Sequence, residues 1–390
     1  MSLKILLFAF LTLASVSFIL YAKLKPLQEL NNFPPYKGTT HFARPHYTYD
    51  ETKKTVLIMA DNNNTEMFDM MAPFFLFKET GKANVYILAQ KHYPIIMNKG
   101  PFILPHFSYN EIDSLKMQVD VIVIPFMSRE PASSEKINWI KKHFSDSTII
   151  LSICDGAWTA AATGLYDGKL LTAHATDYEN IKKEYTKPRW VQGVSYTQDG
   201  NLFSTAGVSN ATDGSLAVIN KIFGKDVMLE VMKSINYPFP ELRQEHKSLA
   251  INTTASLIAI NKMLFKNNKK IGVLLHNGIS EIELAAIFDT YQRTLPASMH
   301  AYSFNNTAVT TKFGLTILPT DNLHMPEIDE LEIMNPLLLT KIDSLQFNNI
   351  NVVTHNTIKG KYIINECLEH IEYQYGSEFK QLVKLALDYN

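Results

Sequence analysis

The chain has 390 residues, of which 46% are hydrophobic and 19% charged, and its formal net charge is −1. That length exceeds one ordinary domain, and the composition supplies apolar side chains for a sizeable core. Lysines and arginines are spread along the chain, without the basic face or stripe of a nucleic-acid binder. The two distant cysteines, Cys154 and Cys367, make neither a disulfide framework nor a metal-ligand spacing.

In chain order, Met1–Lys4 is a short, weakly basic start, and Ile5–Ala22 is apolar or small almost throughout. About 18 such residues reach the lower limit for crossing a bilayer. Residues 1–25 are therefore expected to anchor the chain in a membrane through residues 5–22, with the globular part extracytoplasmic. The alternative is a cleaved signal and a secreted protein. Residues 26–52 read as a linker, broken by Pro34, Pro35 and Pro45.

Regular structure starts with Thr55–Ala60, a β-branched and apolar run of the kind buried on both faces of a sheet. Asp61–Asn64 is a turn, and Met67, Met70, Met71, Phe74 and Phe75 recur at helical spacing. Asn84–Ala89, Val119–Pro125 and Thr148–Ile153 are further strands, and Ser134–Phe144 is an amphipathic helix. Strands alternating with helices predict a parallel-rich α/β sheet with helices on both faces. Ligands in such sheets sit outside the carboxyl ends of the strands. Three segments fall there: Asn62–Asp69, Pro125–Arg129 and Ile153–Ala157.

The sequence also repeats weakly. Lys270–Asp289 again reads strand, turn, helix, and lies without gaps on Val56–Phe75. Residues 265–390 are expected to form a second, incomplete α/β unit without a nucleophile. Residues 236–264 form a connecting helical segment, and 53–235 the complete domain.

The chemistry is expected at Ile149–Ala162, where a buried strand runs into Cys154 and the small residues Gly156 and Ala157 precede a helix. This is the layout of a nucleophile elbow. A cysteine at a helix N-terminus sees the positive end of the dipole, which favours the thiolate. Amides after it can hold a developing negative charge, so Asp155 and Gly156 are the candidate substrate or oxyanion positions. Cys367, in a helical stretch, reads as core.

Six stretches in order carry a resemblance: Glu66–Pro73, Val121–Pro125, Ser152–Ala157, Ala162–Lys169, Leu171–His174 and Ser204–Ser209. The region resembles the ThiJ/PfpI (DJ-1/PfpI-like, class I glutamine amidotransferase-like) superfamily, in the branch with isonitrile hydratases and the sensor halves of AraC-type regulators. The resemblance implies a flavodoxin-like, amidotransferase-like fold with Cys154 as elbow cysteine. It implies Asp69 as the acidic residue facing Cys154, and His174 as a base or orienting group. Asp155 departs from the pattern, standing where the hydratase and regulator branch has Thr and the peptidases His. A carboxylate there opposes thiolate formation unless it points to solvent or pairs. The expected function is hydratase- or hydrolase-type chemistry on a small electrophilic molecule, with neither cofactor nor metal. The alternative is a small-ligand or redox sensing module with a reactive cysteine. A homodimer or an intramolecular pseudo-dimer is the expected association.

Overall fold

The alternating buried runs and helical stretches resolve, in a computed structural model, into two parallel-rich sheets that share one strand order, with two smaller sheets beside them. The structure describes residues 36–38, 47–97, 100–248, 253–265, 268–321, 323, 327–343, 350–355 and 360–389. The first unit contains β1 (Lys54–Met59), α1 (Met67–Glu79), β2 (Ala83–Ala89), β3 (Phe107–Ser108), β4 (Val121–Ile124), α2 (Glu135–His143), β5 (Ile149–Ser152), α3 (Ala157–Ala162), β6 (Tyr196–Asp199), β7 (Leu202–Thr205), α4 (Ala211–Phe223) and α5 (Lys225–Ser234). Its seven-stranded sheet runs β6-β7-β5-β4-β1-β2-β3. Every pairing in it is parallel except β6 with β7.

β1 is buried from Thr55 on and β2 throughout, as parallel strands covered on both faces must be. Alternate side chains serve opposite layers. Val56 and Ile58 pack with α1 and α4, while Leu57 and Met59 pack with Trp139, Trp158 and Tyr178 on the other face.

The second unit contains α6 (Thr253–Phe265), β8 (Lys270–Leu275), α7 (Glu281–Gln292), β9 (Ser298–Ser303), β10 (Glu330–Ile333), β11 (Asn351–Thr354), α8 (Ile363–Tyr375) and α9 (Ser377–Leu387). Its all-parallel sheet runs β9-β8-β10-β11, the order that β2-β1-β4-β5 has in the first unit. The helix pairs α4–α5 and α8–α9 each turn on a left-handed glycine, Gly224 at φ +89° and Gly376 at φ +92°. The gapless alignment of Lys270–Asp289 on Val56–Phe75 fits the helix starts, where Ser280 stands for Glu66. It slips by two positions on the strands, because the connecting turn spans 60–66 in one unit and 276–280 in the other.

The units meet helix on helix, α1 against α7. Met67–Phe77 is buried along its whole length, which is why these residues are apolar all round instead of on one stripe. α7 is nearly as completely covered, and one apolar cluster runs from Val56 and Phe74 to Ile271 and Phe288 without a break between units. Strand Phe102–Ile103 pairs antiparallel with Thr316–Leu318, joining corresponding excursions of the two halves.

The expected membrane placement is corrected here. Among the described residues no helix is long and apolar enough to cross a membrane. Residues 5–22, on which the anchor and the extracytoplasmic location rested, lie outside the described residues.

A shared core predicts shared unfolding. Calorimetry should give a single transition for residues 53–389, and Phe288→Ala should cost about 3–5 kcal/mol while keeping it single. Two separated transitions, with only one moved by the substitution, would show that the units fold independently.

Candidate active site

The elbow follows β5 directly. Ile153 still belongs to the sheet, its amide donating to the Ile124 carbonyl at 2.9 Å. The chain then reverses at Cys154, whose φ is +54°, a left-handed conformation that a non-glycine residue adopts only when its surroundings enforce it. Two neighbours do so. The Cys154 amide donates to Thr205 Oγ1 at 3.2 Å, tying the elbow to the end of β7. Gly156 presses on β4, where a Cβ would stand 2.2 Å from the Ile124 carbonyl oxygen. A side chain at 156 would push the elbow off the sheet.

Asp69 reaches the same point from the first turn of α1. It is fully buried. Its amide donates to the N-cap carboxyl of Glu66 at 3.1 Å, and its Oδ2 accepts from the Phe126 amide at 3.1 Å. The Glu66 amide donates to the Phe126 carbonyl at 3.0 Å, so the loop after β4 is clamped to the helix start. Asp69 Oδ1 makes no hydrogen bond. Burial, and after it the charge of Glu66, push the Asp69 carboxyl well above the ordinary range.

The thiol does not behave as its place before a helix suggests. Cys154 is 4% exposed, and burial followed by the charges of Asp69 and Asp155 pushes its pKa up. The following helix, α3, has six residues and a correspondingly small dipole. The Asp155 amide points at the sulfur and favours the thiolate, the weaker effect here. The Gly156 amide is spent on the Ile153 carbonyl at 2.8 Å, which leaves the Asp155 amide as the elbow's donor and gives Gly156 a steric place. The Asp155 side chain lies near Asp177. Burial and that neighbour's charge raise its pKa, against the pull of Arg129, whose guanidinium stacks 3.3 Å over the Trp158 ring.

His174 is buried. Nδ1 accepts from the Thr176 amide at 3.2 Å, and the ring lies near the Ala386 carbonyl. Burial depresses its pKa.

Several residues that sequence analysis left unassigned come from the second unit. Asp289 on α7 accepts from the Phe68 amide at 2.7 Å, and burial and the nearby charge of Glu66 hold its carboxyl well above the ordinary range. Arg293 donates to the Ala386 carbonyl at 3.0 Å, and its Nη2 lies 3.5 Å from Glu66 Oε1. Asp388 lies against Gly207, accepts from His246 at 2.8 Å, and its carbonyl accepts from Ser209. Only Glu66 had a sequence signal, its spacing three residues before Asp69 at a helix start. Among the described residues no group of three or more His, Cys, Asp or Glu is placed to hold a metal.

The DJ-1/PfpI family model matches residues 53–221. The chain is similar to the isonitrile hydratase of Pseudomonas putida, 21% identical over 175 residues, covering 44% of this chain and 74% of that protein. It is similar to protein dj-1beta of Drosophila melanogaster, 26% identical over 137 residues, covering 34% and 71%. The crystal structure of Drosophila melanogaster DJ-1beta superposes with a TM-score of 0.41 at 20% identity, covering 47% of this chain and 97% of that one. An AraC family transcriptional regulator from Pseudomonas putida gives 0.40 at 13% identity, covering 47% and 98%.

The raised carboxyls Asp69 and Asp289 fix the sign of a pH dependence. Folding favours their protonated forms, so their contribution is whole below the ordinary value of 3.8 and is lost as pH rises through the raised folded values. Denaturation midpoints should therefore fall as pH rises from 3.8 toward those folded values, and Asp289→Asn, which mimics the protonated acid, should flatten part of that slope. A wild-type profile rising with pH over this range would contradict the assignment.

Proposed function

With residues 53–221 a DJ-1/PfpI family domain, we propose that the elbow adds water to a small electrophile through Cys154, in the manner of a hydratase acting on an isonitrile or a molecule of like reactivity. The observation that carries this reading is the pairing of a buried thiol in a left-handed elbow with a buried carboxyl, Asp69, whose Oδ2 takes an amide hydrogen bond and whose Oδ1 has no partner. Burial shifts this carboxyl toward its protonated form, and Oδ1 is its oxygen without a partner. Such a group is a general acid, and its partner thiol needs a place to send its own proton.

For an isonitrile the step balances as follows. The Cys154 sulfur bonds to the terminal carbon while Asp69 protonates that carbon, and the thiol proton returns to Asp69. The product is a thioimidate, with one S–H added across the carbon. Water then attacks the same carbon, the C–S bond breaks, the nitrogen takes a proton, and an N-substituted formamide leaves with the thiol restored. The Asp155 amide, directed at the sulfur, stabilises the thiolate as it forms and as it departs. Because the thiol is held neutral, the reading favours substrates that gain a proton as they are attacked over those needing a preformed thiolate.

A second reading is supported by closure of the elbow. At 4% exposure, Cys154 admits a small oxidant more readily than a bulky substrate, which suits a redox sensor on the reversible first rung of thiol oxidation.

Alkyl isonitrile consumption, followed by NMR detection of the formamide, separates the two. Cys154→Ser should fold with a stability change under about 1 kcal/mol and lose turnover. Asp69→Asn should lower kcat by about 10²–10⁴-fold. No turnover by wild type, together with reversible oxidation of Cys154 by dilute peroxide, would replace the hydratase reading with the sensor.

A further inference from the structure

Away from the elbow, the seam between the two units holds a cavity of about 470 Å³, a size typical of small-molecule sites. Among its lining side chains, with Asn236, Asn365 and Glu369, two kinds stand out. Tyr237, from the segment after α5, faces Tyr362 and Tyr389 from the second unit. The Tyr362 ring lies 6.4 Å from Tyr389 and 31° from parallel with it, and 6.4 Å from Tyr237, nearly edge-on. The wall thus offers ring faces and edges to a flat ligand.

The other kind is cationic: Lys361, Lys380 and Lys384. Lys361 is neutralised by Glu369 at 2.5 Å and Lys380 by Glu372 at 2.6 Å. Lys384 is partly buried and makes no ion pair among the described residues. Its ammonium lies 5.7 Å over the Tyr389 ring, and burial together with the Lys380 charge depresses its pKa. A partly desolvated cation beside a second cation gains stability from an added anion. A bare inorganic anion would leave most of the volume and the tyrosine wall unused.

We propose that this seam cavity is a binding site for a small aromatic molecule carrying a carboxylate or phosphate, its ring against Tyr237, Tyr362 and Tyr389 and its anionic group at Lys384. The site grips the end of α9. Ala386 and Asp388, on the same turn, bond Arg293, His246 and Ser209, so an occupant would brace the turn that ties the second unit to the first.

Titration calorimetry on the full chain tests this with benzoate, phenyl phosphate, neutral benzamide and inorganic phosphate. Benzoate or phenyl phosphate should bind at least about tenfold more tightly than both benzamide and inorganic phosphate. Lys384→Gln should weaken the aromatic anions by about tenfold or more, and Lys384→Arg should restore them. Cys154→Ser should bind them as wild type does, which keeps this test separate from the elbow chemistry. Equal binding of benzamide and benzoate, undiminished binding in Lys384→Gln, or no binding of either aromatic anion would overturn the proposal. So would inorganic phosphate binding as tightly as phenyl phosphate, since the aromatic wall would then have no part.

Discussion

The Phe68 amide donates to the Asp289 carboxyl at 2.7 Å inside a helix pair with almost no solvent face. That bond crosses the seam between the two units at the N-terminal turn of α1. The same turn presents Glu66 and Asp69, so whatever sets the position of α7 also sets how the elbow's acid is held. α1 lies between its own sheet, α4 and α7, and each removes one side of it from water. A helix apolar on every side has no stable place without all of these neighbours.

Burial at this point has an electrostatic consequence. Glu66, Asp69, Asp155, Asp177 and Asp289 gather near one thiol, with the guanidiniums of Arg129 and Arg293 among them. Carboxylates crowded in a dry site disfavour their charged forms, and the Asp69, Asp155 and Asp289 carboxyls are all raised. The thiol feels the same field and is pushed toward its neutral form. A site of this composition handles protons well and anions poorly, which suits addition chemistry driven by acid more than attack by a standing thiolate.

The two sheets share a strand order but differ in chemistry. Where β5 leads into Cys154, β11 leads into His355, which is fully buried and bonds Glu332 at 2.6 Å. The second unit contributes instead through its surface: Arg293 and the turn at Ala386–Asp388 lie against the first unit's His174, Gly207 and Ser209. A pairing of like helices, α1 with α7, resembles an isologous contact closed within one chain. Fusion lets the two sides of such a contact diverge, since each is encoded separately.

Legible in the sequence were the order of strands and helices, the parallel-rich sheet and the strand-to-helix elbow at Cys154, while Asp69 stood out through the family resemblance of Glu66–Pro73. The elements rest on short-range facts: continuous apolar runs, helical spacing, and a small residue at 156 where the backbone passes close to β4. The tertiary structure alone decided the direction in which the thiol is shifted, because that depends on desolvation and on charges that only the fold brings together. It also decided that His174 Nδ1 takes the Thr176 amide in a buried place, and that Asp289 and Arg293 sit beside Glu66. Phe68 and Asp289 are 221 positions apart. No local pattern carries that contact; it follows from how two similar units press their central helices together.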